Sequence, residues 1–280
     1  MVKIITDSTS DITQKMAQEL GIIVVPLWVN FGDESYIDGI DIFPEELYTK
    51  LIDPTTSPPT TGAPPPGAFA EAYDKMAEET DEVLALIISS KLSATHESAI
   101  EGLELRKRKD CRVEVIDTLT TLSGLGILTM IAIEEAERGA NIDQLMDTIN
   151  KSIPRTHTRI CFDTLEYLHR GGRVNTAQAL MGSVLKINPI VGVVDGVVEG
   201  IARARNREKG LEWLYRFVEK FDNIRALAVE HAMTPDEAES FKQRLGFLFP
   251  TEKIPTFVFG PVVGSHIGPH AIGIALVERI

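Results

Sequence analysis

Cysteine is scarce. The 280 residues hold two, Cys111 and Cys161, far apart and without Cys-x-x-Cys or Cys/His spacing, which argues against a structural zinc site. Both read as small buried apolar side chains in a reducing cytoplasm. Basic residues are outnumbered: 28 Lys and Arg against 41 Asp and Glu give a net charge of −13. That balance disfavours a surface built to neutralise nucleic-acid phosphates. The one basic cluster, Arg106-Lys107-Arg108-Lys109, falls near the end of a predicted helix, where cations offset the dipole. No uncharged run suits a membrane. Ile254 to Val277 is broken by Pro255, Pro261, Pro269 and several glycines, and the more helical Thr118 to Ile133 is shorter than the ~20 residues a span needs.

Signature motifs are missing as well. There is no Gly-x-x-x-x-Gly-Lys-Ser/Thr and no Gly-x-Gly-x-x-Gly after the first strand, and neither Gly-x-Ser-x-Gly nor His-Glu-x-x-His occurs. The opening Met1-Val2-Lys3-Ile4-Ile5-Thr6-Asp7 runs straight into a strand pattern, without a basic segment, an apolar stretch and a cleavage site, so a cytoplasmic location is expected. What remains is ordinary globular composition, 44% hydrophobic and 25% charged, at about twice the length of a typical domain.

In its first half the chain alternates short apolar runs with helix-period segments. Val2–Thr6 reads as a strand, and Thr9–Leu20 as a helix whose start is marked by Ser8, Ser10 and Asp11. Ile22–Phe31 is a second apolar run, and a helix opens at Pro44. Asp53 to Gly67 is so rich in proline that it is expected to be a rigid, irregular loop. A strand at 82–88, a helix at 94–107, a strand at 112–116 and a long helix at 121–138 follow. This alternation predicts a parallel sheet covered on both faces.

The second half differs. Pro189–Val194, the turn Asp195-Gly196 and Val197–Ala204 form the clearest hairpin signal in the chain, so mixed or antiparallel pairing is expected there. The reading is an α/β protein of two domains: a three-layer α/β/α unit over 1–153 with a small inserted subdomain at about 22–58, then a mixed α/β unit over 154–280.

Ligands of open parallel sheets sit at the carboxyl ends of strands. Three predicted strands end there in hydroxyl-bearing loops: Asp7-Ser8-Thr9-Ser10, Ser89 to Thr95, and Asp117-Thr118. Thr60 and Thr61 add to them. Such neutral donors, with free N–H groups at helix starts, favour a small anion such as a carboxylate. Ser93 alone is most simply a helix N-cap, a role compatible with facing a ligand. His266 lies in Gly260-Pro261-Val262-Val263-Gly264-Ser265-His266-Ile267-Gly268-Pro269-His270, read as a loop whose glycines admit close backbone approach.

Together these segments resemble the DegV family, known in some members as FakB fatty-acid-binding proteins. The likeness runs through Ile5–Asp11, Tyr36–Asp41, the Thr-Ser-Pro-Pro-Thr-Thr loop, Ile88–Thr95, Asp117-Thr118 with Ser123–Gly126, Leu165–Val174 and Gly260–Pro269, in order along essentially the whole chain. It implies a protein that holds one long-chain fatty acid without catalysing a reaction on it, needs no other cofactor, and presents the carboxylate to a fatty acid kinase. Thr61, Ser93 and His266 would then hold the carboxylate, with Gly62 and Thr118 also at the ligand. An arginine from Arg203-Ala204-Arg205 would support them, Arg205 being favoured by alignment.

Departures from the family pattern are Thr61-Gly62-Ala63-Pro64 for Thr-Ser-Gln-Pro, Ala94 for a common glycine and His270 for another. Leu165, Leu168, Leu180, Val184, Leu185 and Ile187 are candidate tunnel walls. Arg170 and Arg173 would meet anionic head groups during a transient membrane contact. The competing reading is a lipid hydrolase or acyltransferase using Ser93 and His266.

Overall fold

The protein is described by a computed structural model covering residues 1–180 and 187–280. Its strands in chain order are β1 (Lys3–Asp7), β2 (Ile23–Val25), β3 (Trp28–Phe31), β4 (Glu34–Ile37), β5 (Thr60–Gly62), β6 (Glu82–Ile87) and β7 (Arg112–Asp117), then β8 (Thr156–Cys161), β9 (Asn188–Val194), β10 (Val197–Ala204), β11 (Ile224–His231), β12 (Thr256–Val258) and β13 (Ile272–Glu278). They form three sheets. One is parallel, in the order β2-β1-β6-β7. A six-stranded sheet, β10-β9-β8-β13-β11-β12, is mixed: only the β11–β12 pair is parallel. The third is a small antiparallel sheet, β4-β3-β5.

The central strands β1 and β6 are buried nearly throughout, which their Ile, Val and Leu content allows when helices cover both faces. The helix Leu122–Glu137 is the main bridge between halves. It is apolar almost all round and packs on β1, β6, β8, β11 and β13. The hairpin β9–β10 closes with Val194 opposite Val197. Asp195 (φ 47°) and Gly196 (φ 82°) both take the left-handed conformation of a two-residue turn.

Four local expectations change. The first helix begins at Gln14, not at Thr9, because Asp11 turns left-handed (φ 56°) and Thr13 supplies the cap to Met16 N–H. The proline-rich segment is not wholly irregular: Thr60–Gly62, in the gap between Pro58-Pro59 and Pro64-Pro65-Pro66, pairs with β3. The segment around His266 is a helix, Pro261–Ile267, rather than a loop. Its proline sits in the first turn and Gly268 (φ 75°) ends it, while Gly264 inside it is tolerated because it packs closely on Leu47 and Tyr48. A helix at Ile142–Ser152 was not expected. An Asn141–Gln144 capping box starts it, and Ile142, Leu145 and Ile149 bury one face.

Candidate functional site

A cavity of about 260 Å³ lies where the three sheets meet, close to the lower end of small-molecule sites (roughly 300–1,000 Å³). Much of its wall is aliphatic or aromatic. Leu27, Ile160, Phe162, Leu168, Val191 and Ile267 are buried side chains that face it. Polar groups are few: Thr9, Thr61, Ser93, Thr121, Arg173 and His266.

Each polar group is held by its own element. Thr61 stands on β5 opposite Val29, and its Oγ1 shares a 2.9 Å hydrogen bond with His266 Nε2. Ser93 ends the loop after β6. That loop is tied to the β9–β10 turn by Ser89 Oγ donating to the Gly196 carbonyl and Lys91 Nζ to the Asp195 carbonyl, both at 2.7 Å. Ser93 Oγ lies 2.8 Å from Thr95 Oγ1 and accepts the Thr95 N–H at 3.3 Å, so it serves the helix start while facing the cavity. Arg173 is exposed at the rim and donates to the Gly171 carbonyl at 2.6 Å.

Burial, and then the Arg173 guanidinium, push the His266 ring down to about 4, so it is neutral at pH 7. Its Nδ1 is buried without a partner and abuts Gly171, where a β-carbon would overlap the ring. Glycine at 171 is what makes room for the imidazole. A neutral imidazole, two hydroxyls and one guanidinium at the edge of an apolar slot form a set of donors for a carboxylate whose tail lies in the slot.

The structure brings Thr61, Gly62, Ser93 and His266 to the lining of this cavity, Thr61 and His266 in direct contact. It does not bring the other two expected residues there. Thr118 is fully buried, its hydroxyl spent on the Ile87 carbonyl at 2.8 Å; Thr121, three residues on, is the one that faces the cavity. Arg205 is exposed beyond the end of β10 and does not line the cavity. Of that strand only Val198, near its start, lines the cavity. Arg203 donates to the Ala179 carbonyl. The guanidinium at the cavity belongs to Arg173, whose signal in the sequence is the Gly171-Gly172-Arg173 turn.

Of the expected tunnel walls, Leu168 lines the cavity. Leu165 is buried in the same apolar cluster, Leu180 packs against it and Ile187 is half-buried. Val184 and Leu185 lie outside the described residues. Among the described residues, no group of three or more His, Cys, Asp or Glu side chains could hold a metal ion. No helix there is long and apolar enough to cross a membrane.

Known proteins share this arrangement of elements from end to end. A structure titled as fatty acid binding of a DegV family protein from Thermus thermophilus matches with a TM-score of 0.88 and 33% identity, over 99% of each chain. One titled DegV, a fatty acid binding protein from Bacillus subtilis, matches with a TM-score of 0.86 and 26% identity, again over 99% of each. A DegV domain-containing protein of Caldanaerobacter subterraneus is 33% identical over 282 residues, 99% of both chains. The family model described as "uncharacterised protein, DegV family" matches residues 1–279. The chain therefore belongs to the DegV family.

Proposed function

We propose that this protein binds one long-chain fatty acid, with its carboxylate against Thr61, Ser93 and His266 and its tail in the apolar cavity. The observation that carries the reading is the pairing of those three side chains with a slot walled by Leu27, Phe162, Leu168 and Val191. Its full-length likeness to DegV proteins titled as fatty acid binding supports the same conclusion. Physically, the tail supplies the affinity. Burying ~15 methylenes at ~0.8 kcal/mol each contributes about 12 kcal/mol before ordering costs, against about 1 kcal/mol for each hydrogen bond to the head group. The polar cluster then sets which end faces out.

Binding fits the geometry better than Ser93/His266 catalysis. Ser93 Oγ is bonded to Thr95 and His266 Nε2 to Thr61, not to each other. No acid orients Nδ1, so the chain of nucleophile, base and orienting group is missing. In the wider reading, the protein works in the cytoplasm and presents its carboxylate to a fatty acid kinase. The exposed Arg170 and Arg173 beside the rim would meet anionic lipid head groups during exchange; the family resemblance supports both steps.

Mass spectrometry of an organic extract of the purified protein tests the central claim. About one fatty acid per chain is expected. Delipidated, folded protein that takes up no palmitate in a calorimetric titration overturns it.

A further inference from the structure

Three carboxyl groups that touch no wall of the cavity hold two of the segments that form it. The helix Pro261–Ile267 brings Val262, Val263, His266 and Ile267 to the wall, yet its N-cap residue is Gly260, which has no side chain to cap it. Acids from the first fifty residues do so instead. Asp11 Oδ1 accepts the Gly260 N–H at 2.8 Å. Asp38 accepts the Ser8 hydroxyl at 2.7 Å and lies against the same helix start, its Oδ1 3.7 Å from where a β-carbon on Gly260 would stand. One residue upstream, Tyr48 Oη donates to the Phe259 carbonyl at 3.3 Å. The fit leaves no slack: a β-carbon on Gly264 would stand 2.6 Å from Leu47 Cδ2 and 2.8 Å from Tyr48 Oη.

The third acid works on the opposite wall. Thr121 and Leu122 face the cavity, and Leu122 is held at φ 62°, a conformation costly for a bulky residue. Glu230 Oε2 accepts the N–H of the next residue, Ser123, at 2.8 Å and so holds that turn in place. Two oxygens of this set, Asp11 Oδ2 and Glu230 Oε1, are buried without partners, a destabilising arrangement. Burial raises all three carboxyls above their ordinary range, and at Asp11 the neighbouring Glu230 and Asp38 charges add to it.

We propose that Asp11, Asp38 and Glu230 are positioning residues for the head-group site: they set where His266, Thr121 and Leu122 stand relative to the cavity. The proposal rests on the fatty-acid reading for its binding consequence, but not for its geometric one.

The test uses full-length protein carrying Asp38→Ala, Asp38→Asn or Glu230→Ala, with [1-¹³C]palmitate as ligand and ¹⁵N-labelled histidine. In Asp38→Ala, the bound carboxyl carbon is expected to shift its resonance and palmitate affinity to fall at least fivefold. Asp38→Asn, which keeps an acceptor oxygen, is expected to recover most of both. In ligand-free protein, the His266 ring nitrogens are expected to shift in Asp38→Ala and stay near their parental positions in Asp38→Asn. A folded Asp38→Ala with unshifted His266 nitrogens, an unshifted carboxyl resonance and affinity within twofold of the parent overturns the proposal. Should Asp38→Ala fail to fold, Glu230→Ala, which removes the acceptor of the Ser123 N–H, takes its place: a shifted carboxyl resonance and at least fivefold weaker binding are expected, and parental values for both overturn the proposal. Parental protein that binds no palmitate sinks the fatty-acid reading, while the His266 nitrogens of the ligand-free variants still decide the positioning claim.

Discussion

Replacing Thr61 with valine keeps the branched shape of the side chain and removes the hydroxyl that meets His266 Nε2 at 2.9 Å. In the proposed complex the same hydroxyl donates to the carboxylate, and losing that bond costs about 1–2 kcal/mol, or roughly five- to thirtyfold in affinity. Shortening the ligand from sixteen to twelve carbons removes four methylenes, about 3 kcal/mol or roughly 200-fold. If the tail supplies affinity and the hydroxyl cluster supplies orientation, the two losses add, because they act at opposite ends of the ligand. Titration calorimetry on delipidated parental and Thr61→Val protein, with laurate, myristate and palmitate, measures both. The expected result is two parallel lines of binding free energy against chain length, offset by the hydroxyl. A slope below about 0.3 kcal/mol per methylene would show that the cavity does not enclose the tail, and the reasoning would fail.

Two further outcomes follow from the same geometry. Gly171→Ala places a methyl group where His266 Nδ1 now sits, while its backbone (φ −73°) suits alanine. It is expected to weaken palmitate binding tenfold or more with little loss of thermal stability, and unchanged affinity would disprove the packing of ring on glycine. Acidification should raise stability between pH 8 and 6, because Asp38 and Glu230 lie near 7 when folded and near 4 when unfolded. The folded state takes up protons over that window and the unfolded state does not. Below about 6.5 the neutral His266, held at about 4, opposes the trend as the unfolded imidazole charges. Melting temperatures across pH 5–8 check the sign, and Glu230→Gln is expected to flatten the upper part of the rise; a flat parental profile from 8 to 6 would contradict it.

Much of the architecture is legible along the chain. Apolar residues between helix-period segments mark β1 and β6 as buried parallel strands, with the more polar β7 at the sheet edge. Asp195-Gly196, flanked by valines, specifies a tight hairpin because few other pairs tolerate two left-handed residues in succession. The helix Ile142–Ser152 was equally available, since Asn141 and Gln144 stand at capping-box spacing, but its single apolar stripe is narrow and its surface otherwise polar. The three hydroxyl-bearing loops at strand ends follow from strand polarity alone, as does the expectation that a small anion lies near them.

By itself the sequence determined most of the strands and helices and the polarity of the parallel sheet, because propensity, turn chemistry and periodicity are properties of neighbouring residues; the choice of Thr61, Ser93 and His266 as the carboxylate set came from the likeness to the DegV family. Only the tertiary structure decided which candidates meet. Thr118 and Thr121 follow the same strand, yet the chain turns left-handed at Leu119 and Leu122, which buries one hydroxyl against Ile87 and opens the other to the cavity. Arg173 stands at the rim in place of Arg205 because the Gly171-Gly172 turn lies against His266, whereas of β10 only Val198 lines the cavity. Such convergence depends on register and packing between segments as many as two hundred residues apart, and no local pattern encodes that distance.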